Sequence, residues 1–403
     1  MNFAFISPQF PETYWLWCAR LKECGATVLG IGDTPTENLS QQVLSSLDEY
    51  YYVPTLEDYD QVFRAVAYLS WRYGHMDWIE SMNEHWLSLD ARLRDDFHVT
   101  TGASASQMAV WQSKAQMKTL YARSGVPSAR QVRMGSLDET RGAIQSWGGY
   151  PIFAKPEVGV GAAGGHKLNN EGELKALMDR CWYEHAAPYV LEEFVPASAI
   201  VAYDAILDSQ GNPLFENQEE FPPSMSDIAS QGLDLTYFSR PDVDPRLLKI
   251  GRATARGFGI TRRFVHMEFF RLAEDRPSLG QAGDYVGLEV NCRPTGGYTP
   301  DMMNFAHSTD VYRIWAEMVC FDQRRSGPDG RGWLCVYAGR RKGRQYAHAH
   351  DEILSTWENE LVMQQEVPAA LSNDMGDYMY VARVDSEERL HEFSSYVHAP
   401  KNK

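Results

Sequence analysis

The sequence predicts a mixed α/β and α+β protein: an N-terminal parallel-sheet domain, a larger central region, and a small C-terminal α+β subdomain. Three observations predict it. The chain opens with β-α-β spacing. A hairpin signal stands at its middle. The strand and helix pattern restarts after about residue 330.

In chain order, "NFAFIS" is a short apolar run of β character, and "YWLWCARLKECG" places apolar residues at helical spacing with Gly25 as a stop. "ATVLGIGD" is the second apolar run, which makes the opening Rossmann-like. No GxGxxG follows, so a dinucleotide site is not supported. "DYDQVFRAVAYLSWRYG" reads as an amphipathic helix, and "DWIESMNEHWLSLDARLRDDF" as strand end, turn and helix. Residues 107–124 read as one helix closed by Gly125. "YPIFAKP" is a strand ending in Lys155, "EVGVGAAGGHKL" a glycine-rich loop entering a strand, "ELKALMDRCWYE" a helix, and "PYVLEEFVP" a strand with an acidic end. "AIVAYDAILDSQGNPL" reads as a hairpin turning at Gln210-Gly211-Asn212. Residues 216–240, with Pro222-Pro223, read as an irregular polar loop suited to function. "RRFVHMEFFRL" and "DYVGLEVNCRP" read as an antiparallel pair. In the tail, "GWLCVYAG" and "DYMYVARV" are strands, and "DSEERLHEFSSYV" is a helix whose Asp385 and Glu388 match a capping box.

Composition narrows the function. The chain has 403 residues, 44% hydrophobic and 23% charged, which suits a globular protein of two or three domains. A formal charge of −16 argues against sequence-independent nucleic-acid binding, which needs a basic footprint. The six cysteines are scattered without a CxxC pair and read as reduced thiols of a cytoplasmic protein. No secretory signal and no apolar segment of membrane-spanning length is legible, so no membrane partner is expected.

The chemistry concentrates in "GLEVNCRPTGG". Glu289, Asn291 and Arg293 fall at every second position, which on a strand puts all three on one face. With Glu268 of "HMEFF", they supply hard oxygen ligands suited to Mg²⁺ and a planar fork suited to phosphate. Half-exposed strands also alternate polar and apolar residues for no chemical reason, but Arg293, Gly296 and Gly297 in the same run favour a site. Lys155 ends a strand just before Gly159, Gly161, Gly164 and Gly165, a loop able to approach an anion closely. Taken alone, that loop is as well explained by a hairpin or a linker. Glu84 in "NEHW" is a further candidate near the end of the first domain.

The order of these features resembles the ATP-grasp superfamily, most closely its carboxylate–amine ligase branch. "SKAQMKTLYARSGVPSAR" is similar to the family's first lysine segment, and "YPIFAKP" with "GVGAAGG" to its second lysine and phosphate loop. "YVLEEFVPA" resembles the adenine hinge, and "HMEFF" and "GLEVNCRPTGG" the metal-binding strands. The resemblance implies an α/β domain over 1–100, an ATP-grasp domain over 101–330 with a lid over about 120–195, and the subdomain over 331–403. It implies Mg²⁺, or Mn²⁺ in its place, on Glu268, Glu289 and Asn291. ATP would meet Lys114, Lys155, Gly159, Gly161 and Gly164, with Lys118 the alternative to Lys114. Glu192, Glu193, Phe194 and Val195 would form the adenine hinge, and Arg293 would be catalytic. The partners implied are a small-molecule carboxylate and an amine, amino acids among them, in a monomer or a homo-oligomer. The family often places an acidic residue after the hinge for the ribose; here Ser198 and Ala199 stand there, with Asp204 as a substitute. The other readings are an ATP-grasp carboxylase or formate-using enzyme, and a nucleotide-binding regulatory protein without turnover.

Overall fold

The computed structural model describes residues 1–158, 164–184, 188–222, 225, 228 and 231–401. The opening β-α-β signal becomes a parallel sheet of β1 (Asn2–Ile6), β2 (Thr27–Gly32), β3 (Glu49–Tyr52) and β4 (Trp78–Glu80), in the order β3-β2-β1-β4. β1 and β2 are buried on both faces, which is why they read as continuous apolar runs. The expected helix Trp15–Glu23 packs against the helix Val311–Phe321, so Trp17, Tyr312 and Trp315 share one core with Phe3 and Phe264.

A small antiparallel sheet follows: β5 (Gln131–Arg133), β6 (Ile152–Pro156), β7 (His166–Leu168) and β8 (Tyr189–Glu193), in the order β5-β8-β6-β7. The helices Leu137–Ser146 and Glu171–Tyr183 cover its apolar face.

The largest sheet holds β9 (Ala197–Leu207), β10 (Pro213–Phe221), β11 (Leu235–Arg240), β12 (Arg263–Leu272), β13 (Tyr285–Asn291), β14 (Leu334–Arg340), β15 (Leu361–Glu366) and β16 (Tyr378–Val384). Its order is β13-β12-β9-β10-β11-β14-β16-β15. The hairpin β9–β10 turns where expected, with Gly211 at φ +76.

β14, in the C-terminal part, pairs with β11, so the strands there extend the central sheet. Three expectations are corrected. Much of the expected loop 216–240 is strand, because Asn217, Glu219 and Ser239 are buried within β10 and β11 and hydrogen-bonded there. Residues 107–124 form two helices, Ala105–Gln112 and Lys114–Arg123. Ser113 between them is extended (φ −82, ψ 110), and its hydroxyl accepts from Gln116 N to cap the second. The last helix is capped by Ser386, not Asp385: the Ser386 hydroxyl accepts from Arg389 N. Among the described residues, no helix is long and apolar enough to cross a membrane.

Candidate active site

The site is built on one face of β13, β12, β9 and β10. Their register places Glu289, Glu268, Ala202 and Glu219 on one rung, and Asn291, His266, Asp204 and Asn217 on the next. Glu289 and Asn291 therefore share a face as expected, with Glu268 opposite Glu289. Side chains directly opposite across a ladder lie about 5 Å apart at Cβ, so two carboxylates on one rung repel unless cations stand close by. Lys114 does so: its Nζ lies 3.2 Å from Glu289 Oε1. Burial, and then the Glu268 charge, raise the Glu289 pKa against the pull of Lys114 and Lys155.

Lys114 reaches this rung because its helix lies directly on β13. At Gly287 an added Cβ would stand 2.5 Å from the Tyr121 ring, so only glycine admits the helix at this distance. The helix start is tied to the small sheet as well: Lys114 N donates to Glu157 O at 3.0 Å.

Lys155 and Lys118 meet on Glu192, whose two carboxylate oxygens each lie 2.9 Å from one ammonium group. Gln131 Nε2 donates to Glu192 Oε1 at 2.9 Å. Burial disfavours the Glu192 charge, but the two lysines outweigh it and hold the pKa down at about 2. Of the two lysines weighed from the sequence, Lys114 pairs with Glu289 on the carboxylate rung and Lys118 with Glu192. Glu192→Gln leaves two buried ammonium groups without their counter-charge. It is expected to cost about 3 kcal/mol of stability, measured by chemical denaturation; a change below about 0.5 kcal/mol would contradict this arrangement.

Past β8 stand Phe194, over whose ring Lys167 Nζ sits at 4.4 Å, and buried Val195. Glu193 Oε2 accepts from both Nε and Nη2 of Arg130, at 3.0 and 2.7 Å, and its Oε1 from Arg130 N at 2.7 Å. Gly164 has φ +74, and its carbonyl accepts from the Tyr189 hydroxyl; Gly159 and Gly161 lie outside the described residues.

Arg293 lies beyond the end of β13 but keeps its alternation, with Cys292 and Pro294 buried on either side. Its Nε donates to Glu84 Oε2 at 3.0 Å and its Nη1 to Pro294 O at 2.8 Å. Its charge is near enough to help depress the Glu268 pKa, where burial is opposed first by His266 and then by Arg293 and Lys155.

The sequence reading missed the buried network behind this rung. His266 Nδ1 meets Asp204 Oδ1 at 2.7 Å, and its Nε2 meets Glu268 Oε1 at 3.1 Å. Burial opposes the imidazolium, but Asp204 and Glu268 prevail and raise its pKa to about 10. Asp204, weighed for the ribose, is instead fully buried and also accepts from Thr295 and Asn217. The local signal was partial: polar and apolar residues alternate in "AYD" and "HME", but "FENQEEF" is an unbroken polar run between its two phenylalanines. Arg263, which bonds Glu80 of β4 at 2.7 Å and Cys292 O at 2.9 Å, ties the parallel sheet to this one and was not foreseen.

No protein-family model matches the chain. Over 112 residues it is 24% identical to the carbamoyl phosphate synthase large chain, N-terminal section, of Methanopyrus kandleri, a match covering 28% of this chain and 20% of that relative. Its structure is similar to that of an L-amino acid ligase from Bacillus licheniformis, with TM-score 0.71 and 14% identity over 98% of this chain and 96% of that one. It is also similar to the biotin carboxylase domain of a Hydrogenobacter thermophilus 2-oxoglutarate carboxylase in complex with MgADP, ADP and bicarbonate. There the TM-score is 0.69 and the identity 15%, over 97% of this chain and 88% of that one.

Proposed function

We propose that this chain, which has the ATP-grasp fold, is an ATP-dependent ligase that joins a small-molecule carboxylate to an amine through an acyl phosphate. The observation that carries the reading is the rung on which Glu268 and Glu289 face each other beneath Lys114. Two half-buried carboxylates with an asparagine beside them are a set of hard oxygen donors whose mutual repulsion a divalent cation would relieve. Mg²⁺, or Mn²⁺, held by Glu268, Glu289 and Asn291, would neutralise charge on the phosphoryl group in transfer.

The chain's own residues supply the rest. Lys114 and Lys155 bring positive charge to the phosphates, and Glu192 fixes the direction of Lys155 and Lys118. The main chain of Phe194 and Val195 offers hydrogen bonds to the edge of the base. A substrate carboxylate oxygen attacks the γ-phosphorus, ADP departs, and Arg293 steadies the acyl phosphate. The amine then attacks the acyl carbon and phosphate leaves. No nucleophilic side chain is needed, so catalysis rests on positioning and charge neutralisation. Such an enzyme works on small molecules in the cytoplasm. Amino acids are the first substrates to offer, since one structural relative is an L-amino acid ligase.

The test is ADP release with pairs of L-amino acids and small carboxylic acids, with mass spectrometry of the product. Release should depend on both partners and stop on chelation of divalent metal with EDTA. ADP release that needs bicarbonate and no amine would favour a carboxylase instead.

A further inference from the structure

A cavity of about 220 Å³ opens beside Glu289 and Asn291, on the side that faces the first domain. It is smaller than the roughly 300–1,000 Å³ pockets of drug-sized ligands, so its occupant is small. Met117, Val158 and Val290 give it an apolar side; Glu84, Ser88 and Gln112 give it a polar one.

The polar side has a fixed orientation. The Ser88 hydroxyl donates to Gln112 Oε1 at 2.7 Å, which turns the Gln112 NH₂ toward Glu84 Oε1 at 3.2 Å. Arg293 Nε donates to the other oxygen of Glu84 at 3.0 Å. Glu84 is thus held in place from both sides, and 13% of its side chain remains exposed. The carboxylates lining the cavity are Glu84 and Glu289, and His85 at the rim is engaged by Glu57 at 2.6 Å. Lys114 meets the Glu289 charge, whereas Glu84 accepts one bond on each oxygen and keeps acceptor capacity for an entering ammonium donor.

We propose that this cavity admits the amine substrate, and that Glu84 docks its ammonium group and accepts its proton. The inference rests on the ligase reading and adds to it the site and charge of the second substrate. The step balances. The ammonium gives one proton to Glu84, and the freed nitrogen lone pair forms the C–N bond to the acyl carbon. The bond from that carbon to the phosphate oxygen breaks with its electron pair, and the departing phosphate takes the second proton. The third stays on the amide nitrogen.

Two nucleophiles separate this role from any part in the first step. Hydroxylamine is uncharged near neutral pH and traps an acyl phosphate as a hydroxamate without needing a carboxylate to dock it. Wild type and Glu84→Gln are each given ATP and the twenty L-amino acids, singly and in pairs, with or without hydroxylamine. The expected result is a ratio of amide to hydroxamate that falls ten-fold or more in Glu84→Gln, with a raised KM for the amine. Glu84→Asp, which keeps the charge, should recover part of the ratio and serves equally if the Gln variant folds poorly. An unchanged ratio, or equal loss of both products, would overturn the assignment of Glu84 while leaving the ligase reading standing. A wild type that forms neither product would overturn both.

Discussion

Glu289→Gln is expected to lower turnover by about 10³-fold while moving Tm by only a few degrees. The residue stands at the centre of the polar rung, opposite Glu268 and 3.2 Å from Lys114. Removing its charge relieves repulsion from Glu268 and forfeits attraction to Lys114, two changes of opposite sign. The amide keeps the size of the side chain, so its steric fit is retained. Catalysis has no such compensation, because an amide oxygen is a weaker ligand for a hard divalent cation than a carboxylate. Melting temperature and ADP release, measured on one preparation, separate the two effects. Full activity at ordinary Mg²⁺ concentration would show that Glu289 serves the sheet and not the chemistry.

The second large effect is expected at Arg293. Its Nε and Nη1 are engaged by Glu84 and Pro294, and its Nη2 has no hydrogen-bond partner among the described residues. A lysine there keeps a positive charge but loses both the fork and the bond that aims it. Turnover in Arg293→Lys should fall by about 10²-fold or more. Nucleotide affinity should change far less, since Lys114 and Lys155 remain to meet the phosphates. Calorimetric affinity beside steady-state ADP release decides it. Lost affinity with intact turnover of bound ATP would make Arg293 a binding residue.

The legible parts of this protein were those set by local periodicity. The β-α-β opening, the hairpin at Gly211 and the antiparallel pair carrying Glu268 and Glu289 each follow from patterns read within single elements and the short turns between them. The illegible parts depend on who pairs with whom. Nothing local says that β14 continues the central sheet at β11, or that Glu219 and Asp204 are buried. Their polarity reads as exposure until β9, β10 and β12 are laid side by side and His266 is found between two acids. The Ser113 break has the same character, because helix periodicity runs through it while its hydroxyl caps the second helix. Glu84 was legible only as a carboxylate near the end of a domain; its contact with Arg293, 209 positions away, is tertiary.

The central claim is that ATP activates a carboxylate by phosphorylating it. Once a substrate pair is found in the ADP-release screen, the carboxylate is supplied with ¹⁸O in both oxygens and the released phosphate is analysed by mass spectrometry. If a carboxylate oxygen attacks the γ-phosphorus and the amine later displaces that phosphate, one labelled oxygen must pass into each phosphate. Phosphate released without label, while the amide accumulates, would contradict the account.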